Sequence, residues 1–158
     1  MSYRKRTFRE KLADPKDLPR VERLRGAMRR QLGPGTIVLP SPAEVDGLMR
    51  RVPRGRVATV NQLRAVLAAR HGTTTACPIV TGILARIAAG AAGEEEALGR
   101  KRVTPYWRTL KEGGELNPKY PGGLAGQRSR LRVEGHRVIS RGKRLFVADH
   151  DRVLARFR

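Results

Sequence analysis

Thr104-Pro105-Tyr106-Trp107-Arg108 and the run Tyr120-Pro121-Gly122-Gly123-Leu124-Ala125-Gly126-Gln127-Arg128-Ser129-Arg130-Leu131-Arg132-Val133-Glu134-Gly135 decide how this chain is read. Pro105 presets a turn, and two large aromatics follow it directly. Aromatics make up only 4% of the sequence, so an adjacent pair marks a place where something bulky is packed or held. The second run opens on Pro-Gly-Gly turn chemistry and continues as a helix expected over 122–134. Leu124, Leu131 and Val133 are expected inward there, and Gln127, Arg128, Arg130 and Arg132 outward.

Upstream, helix signals are dense. Ser41-Pro42-Ala43-Glu44 places a cap, a proline at the first helical position and a glutamate three residues past the cap. It predicts a helix over 42–51 that buries Val45, Leu48 and Met49. Pro53-Arg54-Gly55-Arg56 turns the chain. Thr59-Val60-Asn61-Gln62 repeats the capping logic for a helix to about 70, which Gly72 stops. Thr75 is the expected cap of a third helix over 76–89, with Pro78 in its first turn. Three helices in this order predict a helix-turn-helix core.

Downstream of the aromatic turn, Lys111-Glu112-Gly113-Gly114-Glu115 reads as a hairpin turn between short strands at 108–110 and 116–117. Val138-Ile139-Ser140 and Leu145-Phe146-Val147 flank Arg141-Gly142-Lys143 as a terminal ribbon. The fold class expected is mainly α with small β: a winged helix-turn-helix-like DNA-binding domain over 37–148. A short helical tail follows at 149–158, and a basic helical extension precedes at 1–36. In that extension a basic helix is expected near 3–12. Val21, Leu24, Met28 and Leu32 give one amphipathic helix near 20–32, and Ile37-Val38-Leu39 a short apolar link. Residues 90–102, with Glu94-Glu95-Glu96 and Arg100-Lys101-Arg102, read as an exposed insert forming a short helix whose charges suit its dipole.

Charge narrows the partner. Thirty-four Lys and Arg against 14 Asp and Glu leave a net charge of +20 in 158 residues, which points to a polyanion, with nucleic acid first. Between Tyr3 and Leu32 alone, 11 basic residues face 4 acidic ones. That segment is either a solvated arm packing one apolar stripe or a phosphate-tracking extension. One cysteine excludes an internal disulfide and a Cys-x-x-Cys metal site. No apolar run approaches the roughly 20 residues of a membrane span. A cytoplasmic, nucleoid-associated monomer without cofactor or metal is expected.

The order Pro105, Arg108, Tyr120, Gly122-Gly123-Leu124-Ala125 and Glu134-Gly135 resembles the C-terminal domain of methylguanine-DNA methyltransferase and its non-catalytic relatives, the alkyltransferase-like proteins. The resemblance covers about 43–140. Val52-Pro53-Arg54-Gly55-Arg56-Val57-Ala58-Thr59 is similar to the segment that leads into the family's helix-turn-helix, with Val60 in place of a phosphate-pressing tyrosine. The two reactive positions differ: Tyr106 stands where the family keeps its alkyl-accepting cysteine, and Trp107 where it keeps the activating histidine. The alkyltransferase-like proteins also lack that cysteine.

The resemblance implies that 76–89 is a recognition helix lying in the minor groove, with Thr81 and Gly82 at close-approach positions. The family's arginine finger falls on Pro78, which cannot fill a vacated stack. Either Arg86 or Arg70 substitutes, or no base is flipped. The candidate DNA contacts are Thr73, Thr74, Thr75, Pro78, Thr81, Gly82 and Arg86 around that helix, Arg54 and Arg56 on the turn before it, and Arg141 and Lys143 on the ribbon tip. The candidate pocket is Tyr106, Trp107, Arg108, Tyr120 and Glu134, either filled by its own aromatics or open to stack a base. Glu134 is expected to bond Trp107 or Tyr106, or to pair with Arg108.

Three functions follow. The first is a non-catalytic DNA-binding protein of the alkyltransferase-like kind, recognising alkylated or distorted DNA for repair proteins to act on. The second is a basic protein binding duplex DNA as an architectural factor, or structured RNA, without lesion recognition. The third is an alkyl acceptor, which would have to use Cys77. An apolar helix with Ile79, Val80, Ile83 and Leu84 around it makes that cysteine equally natural as a small buried filler.

Overall fold

The computed structural model describes residues 4–157. It is mainly helical with three small sheets. The element order is α1 (Phe8–Ala13), β1 (Arg20–Arg23), α2 (Gly26–Leu32), β2 (Thr36–Leu39), α3 (Pro42–Arg50), β3 (Ala58–Thr59), α4 (Val60–His71), β4 (Thr75–Ala76), α5 (Pro78–Ala97), β5 (Thr109–Leu110), α6 (Gly123–Val133), β6 (Val138–Arg141) and β7 (Arg144–Val147).

Both capping boxes close as the sequence predicts. Glu44 N–H donates to Ser41 Oγ at 3.2 Å while Ser41 N–H donates to Glu44 Oε1 at 3.1 Å. Gln62 and Thr59 exchange the same pair at 3.2 and 3.1 Å. These bonds satisfy donors that the first turn of a helix otherwise leaves without partners. Val45, Leu48 and Met49 of α3, Leu63 and Leu67 of α4, and Leu84, Ala85 and Ala88 of α5 then meet in one core. A second, smaller core joins Val57, Leu110, Leu116, Leu131 and Val147 beneath the ribbon.

The N-terminal third differs from its helical expectation. The residues at 20–32 split into a strand and a short helix, because Gly26 turns the backbone left-handed (φ +58) and β2 takes β1 as its antiparallel partner from Arg20↔Leu39 to Arg23↔Thr36. Leu24 is buried, whereas Val21 and Leu32 are half-exposed. Ile37-Val38-Leu39 is therefore a central strand, paired on its other side in parallel with β4. The first helix starts at Phe8, capped by the Thr7 hydroxyl; Tyr3, inside its expected range, lies outside the described residues.

The third helix starts after Cys77 rather than Thr75, since Thr75-Ala76 is held as β4. It then runs on to Ala97 without a break. No separate exposed helix exists at 90–102: Gly90, Ala91 and Ala92 are buried, because α1 lies across this half of α5. Phe8 packs on the face of Gly90, where a Cβ would fall inside its ring. Phe8 and Arg9 N–H donate to the Glu94 carboxylate at 3.0 and 2.9 Å.

The expected 108–117 hairpin is also rearranged. Thr109-Leu110 pairs in parallel with Ala58-Thr59, and only Lys111↔Glu115 bridges across the turn. Leu116 N–H instead reaches the Leu145 carbonyl at 2.9 Å, tying this loop to the ribbon. The ribbon forms as expected, with four pairs from Val138↔Val147 to Arg141↔Arg144. The tail makes one 3-10 turn at His150–Val153 and then runs extended along Val57, whose N–H and carbonyl bond Val153 and Ala155 at 2.9 and 2.7 Å. Arg158 lies outside the described residues.

Candidate nucleic-acid interface

The Pro105 turn is fixed from three sides. Thr104 donates its hydroxyl to Asp46 of α3 at 2.6 Å. Arg108 forks onto Glu134 at the end of α6, with Nε at 2.9 Å and Nη2 at 2.7 Å, and gives Nη1 to the Val52 carbonyl at 2.9 Å. Gln127 in mid-α6 donates to the Trp107 carbonyl at 3.2 Å and accepts from Asn117 N–H at 2.8 Å. Gln127 is fully buried and Val133 is 70% exposed, the reverse of the expected facing. Residues on a helix turn by about 100° each, so Gln127 shares the stripe of Leu124 and Leu131 while Val133 lies opposite. Helical spacing alone carried that signal.

The five candidate pocket residues are brought together. Tyr106 stacks edge-on against Trp107 at 5.3 Å and against Tyr120 at 5.9 Å. Both tyrosines are 3% exposed, so the cluster is packed against itself. Arg130, held by both oxygens of Glu96 at 2.9 and 2.8 Å, lies over the Trp107 ring at 4.3 Å. Arg108 approaches the same ring at 5.4 Å, so two guanidiniums flank the indole.

Charge states follow from this packing. Burial pushes Glu134 up, but hydrogen bonding from Arg108, the facing Trp107 indole N–H dipole and the charges of Arg108 and Arg54 outweigh it and hold the carboxyl below its ordinary 4.5. The Trp107 Nε1–H faces that carboxylate without completing a hydrogen bond. Burial raises the Tyr106 and Tyr120 phenols above their ordinary value of 10. A buried neutral phenol is no nucleophile at neutral pH. Cys77, the N-cap of α5, is half-buried, and its N–H bonds the Val38 carbonyl at 2.9 Å. Among the described residues no group of three or more His, Cys, Asp or Glu is placed to hold a metal, and no helix is long and apolar enough to cross a membrane.

The candidate DNA contacts divide into four places. Pro78, Gly82 and Arg86 share the exposed face of α5. Thr81 does not: it is fully buried, its hydroxyl bonded to the Cys77 carbonyl at 2.7 Å, and it packs the helix instead of offering close approach. The hydroxyls of Thr73, Thr74 and Thr75 are engaged within the turn before α5, with the Thr75 carbonyl, Thr36 N–H and Arg64 respectively. Arg54 and Arg56 lie elsewhere, against the Val133 carbonyl and the tail. Arg141 and Lys143 are exposed at the ribbon tip, where Arg141 covers Phe146.

Sequence reading missed the rest of the α5 face. Ile79 and Ile83, 73% and 54% exposed, join Pro78, Gly82 and Arg86 along one wall of a groove of about 340 Å³, and Lys111, Asn117, Pro118 and Lys119 form the other. Among the described residues neither Arg86 nor Lys119 has a carboxylate partner. Helical spacing sets Ile79, Ile83 and Arg86 opposite the buried Thr81, Leu84 and Ala88. The signal was present, hidden because isoleucine ordinarily reads as core.

No family model matches the sequence, and no curated protein does. Two solved structures are similar. One is Schizosaccharomyces pombe Atl1 in complex with damaged DNA containing O6-carboxymethylguanine, at a TM-score of 0.48 and 16% identity over 73% of this chain and 94% of that one. The other is the S. pombe alkyltransferase-like protein in complex with DNA, at 0.46 and 14% over the same shares.

Proposed function

We propose that this protein is a non-catalytic DNA-binding protein of the alkyltransferase-like kind, built as a winged helix-turn-helix in which α4 and α5 present the interface and β6–β7 the wing. The observation that carries the reading is the exposed face of α5: small and apolar residues at its start, unpaired cations around it, and a net charge of +20 behind it. A surface of that sign recruits phosphates without regard to sequence. Arg86, Lys119, Arg141 and Lys143 are the phosphate contacts, and Pro78 and Gly82 allow the backbone close to the duplex.

The non-catalytic half of the reading is supported by what stands at the reactive positions. Tyr106 is buried and neutral, Trp107 has no basic nitrogen, and Glu134 spends its hydrogen-bonding capacity on Arg108. The packing of Tyr106 against Tyr120 favours a second reading for the lesion itself: binding to duplex DNA without discrimination.

One titration separates the two. Affinity is measured at moderate salt for matched duplexes with and without one O6-alkylguanine, across a salt series. Tighter binding to the alkylated duplex supports lesion recognition, and equal affinity with a steep salt slope leaves a general duplex binder. Absence of salt-dependent binding to either duplex sinks both.

A further inference from the structure

The start of α5 carries an anomaly that phosphate contacts do not explain. Ile79 is 73% exposed and Ile83, one turn on, 54%, on a surface otherwise dominated by arginine and lysine. Apolar side chains left in water are stabilised by burial, so the occupant that suits this face offers apolar surface. It must also tolerate Arg86 beside the isoleucines and Lys111 and Lys119 across the groove.

We propose that Ile79, backed by Ile83, is an apolar wedge that enters a base-pair step of duplex DNA, partly unstacks it and kinks the helix. The proposal rests on the DNA-binding reading above and goes beyond it. A polyanion offers apolar surface where sugar edges line the minor groove and where base faces open at a loosened step, and side chains such as Ile, Leu and Pro are the kind that insert there. The local geometry suits insertion. Pro78 and Ile79 stand on the first turn of α5, ahead of the helix body. At Gly82, between the two isoleucines, even an added Cβ would meet nothing within 4 Å, so the helix surface stays low behind the wedge. A β-branched side chain on a helix has one strongly preferred rotamer, so little side-chain freedom is lost on insertion. A second copy of this chain is a poor occupant, because two surfaces of the same strong charge repel.

The cost of unstacking a step is offset here by the two isoleucines and by the phosphate contacts a bent duplex brings within reach of Arg86 and Lys119. No base needs to leave the helix, so the wedge requires no pocket among Tyr106, Trp107 and Tyr120.

The test uses the full chain and a short duplex carrying 2-aminopurine at its centre, with a donor–acceptor dye pair on the ends. Wild-type protein is expected to raise 2-aminopurine fluorescence and shorten the end-to-end distance. Ile79→Ala is expected to lose both signals and to bind about 5- to 20-fold more weakly, the loss of one buried apolar side chain. Its salt slope should be unchanged. Ile79→Met should keep the unstacking signal. Arg86→Ala should lower the salt slope by about one phosphate contact and still unstack. Both Ile79 and Arg86 are exposed, so these variants fold. Salt-dependent binding by wild type with unchanged fluorescence overturns the wedge and leaves the DNA-binding reading standing, as does an Ile79→Ala protein that unstacks like wild type. No duplex binding at all overturns both. If sedimentation shows a wild-type dimer that Ile79→Asp dissociates, the face is a protein interface and the wedge is wrong.

Discussion

Arg108 and Glu134 form a two-point ion pair, Nε to Oε1 at 2.9 Å and Nη2 to Oε2 at 2.7 Å, with side chains only 14% and 4% exposed. The pair locks the aromatic turn to the end of α6, and the remaining Arg108 nitrogen reaches back to Val52. The Glu134 carboxylate serves here as a structural anchor.

Removing Arg108 strips the Glu134 carboxylate of its guanidinium hydrogen bonds and leaves only the looser pairing with Arg54 at 3.9 Å. Arg108→Ala should lower stability by about 3–5 kcal/mol, the range for breaking a buried pair, as read by urea denaturation at pH 7. The same pair fixes a pH dependence. The folded pKa of Glu134 is depressed, so its stabilisation is complete above the unfolded value and is lost as pH falls through the lower folded value. On this account stability should decline below about pH 5, and His136, whose folded pKa burial lowers from its ordinary 6.5, adds a decline of its own that begins as pH falls through that value. Glu115, depressed by Arg144, contributes in the same direction. Glu134→Gln should start less stable and decline less steeply, and an equally steep decline would rule out the assigned role.

Gln127 satisfies two backbone groups at once, the Trp107 carbonyl and the Asn117 N–H. Gln127→Leu fills the same space and strands both. At about 1–3 kcal/mol for each unsatisfied buried group, the variant should lose roughly 2–5 kcal/mol. A loss under 1 kcal/mol in the same denaturation would mean the contacts are not made in solution.

The contact between α1 and α5 depends on Glu94, which accepts both Phe8 and Arg9 N–H, and on the bare face of Gly90. Glu94→Ala should cost about 0.5–2 kcal/mol, as loss of a helix cap does. Its signature is local: faster amide exchange in 8–13 and earlier tryptic cleavage at Arg9 and Lys11, with α3 and α4 unchanged. Gly90→Val should produce the same local release more strongly, because its side chain takes the place of the Phe8 ring.

Cys77 is the one sulfhydryl, and the ring of His71 is engaged with Glu44 at 2.6 Å. Incubation with DNA carrying O6-alkylguanine should leave the intact mass unchanged. An added alkyl mass that disappears in Cys77→Ser would restore the acceptor reading.

How much of this was legible depends on how far apart the interacting residues lie. The capping boxes at Ser41 and Thr59 join residues three apart, and the β6–β7 ribbon closes over a two-residue turn, so local sequence carries each of them whole. The Arg108–Glu134 pair was one of several partners the residue types allowed. The strand at 20–23 was not legible, because four residues that suit a helix stripe became a strand only once β2 offered an edge. The acidic triplet looked like the solvated start of a helix for a similar reason. Its roles are to cap α1 through Glu94, to pair Arg100 through Glu95 and to hold Arg130 through Glu96, and each partner but Arg100 lies more than 30 residues away.

By itself the sequence determined the charge, the helix starts after Ser41 and Thr59, the ribbon and the absence of a cysteine from the turn after Pro105, since all of these reside in residue identity or in neighbours within one helical turn. Only the tertiary structure decided that Tyr106 and Tyr120 close on one another, and that the α6 face carrying Gln127 is covered while the α5 face carrying Ile79 and Ile83 is not. Those outcomes depend on which surfaces distant segments cover, and an apolar residue carries no mark of whether another segment will reach it.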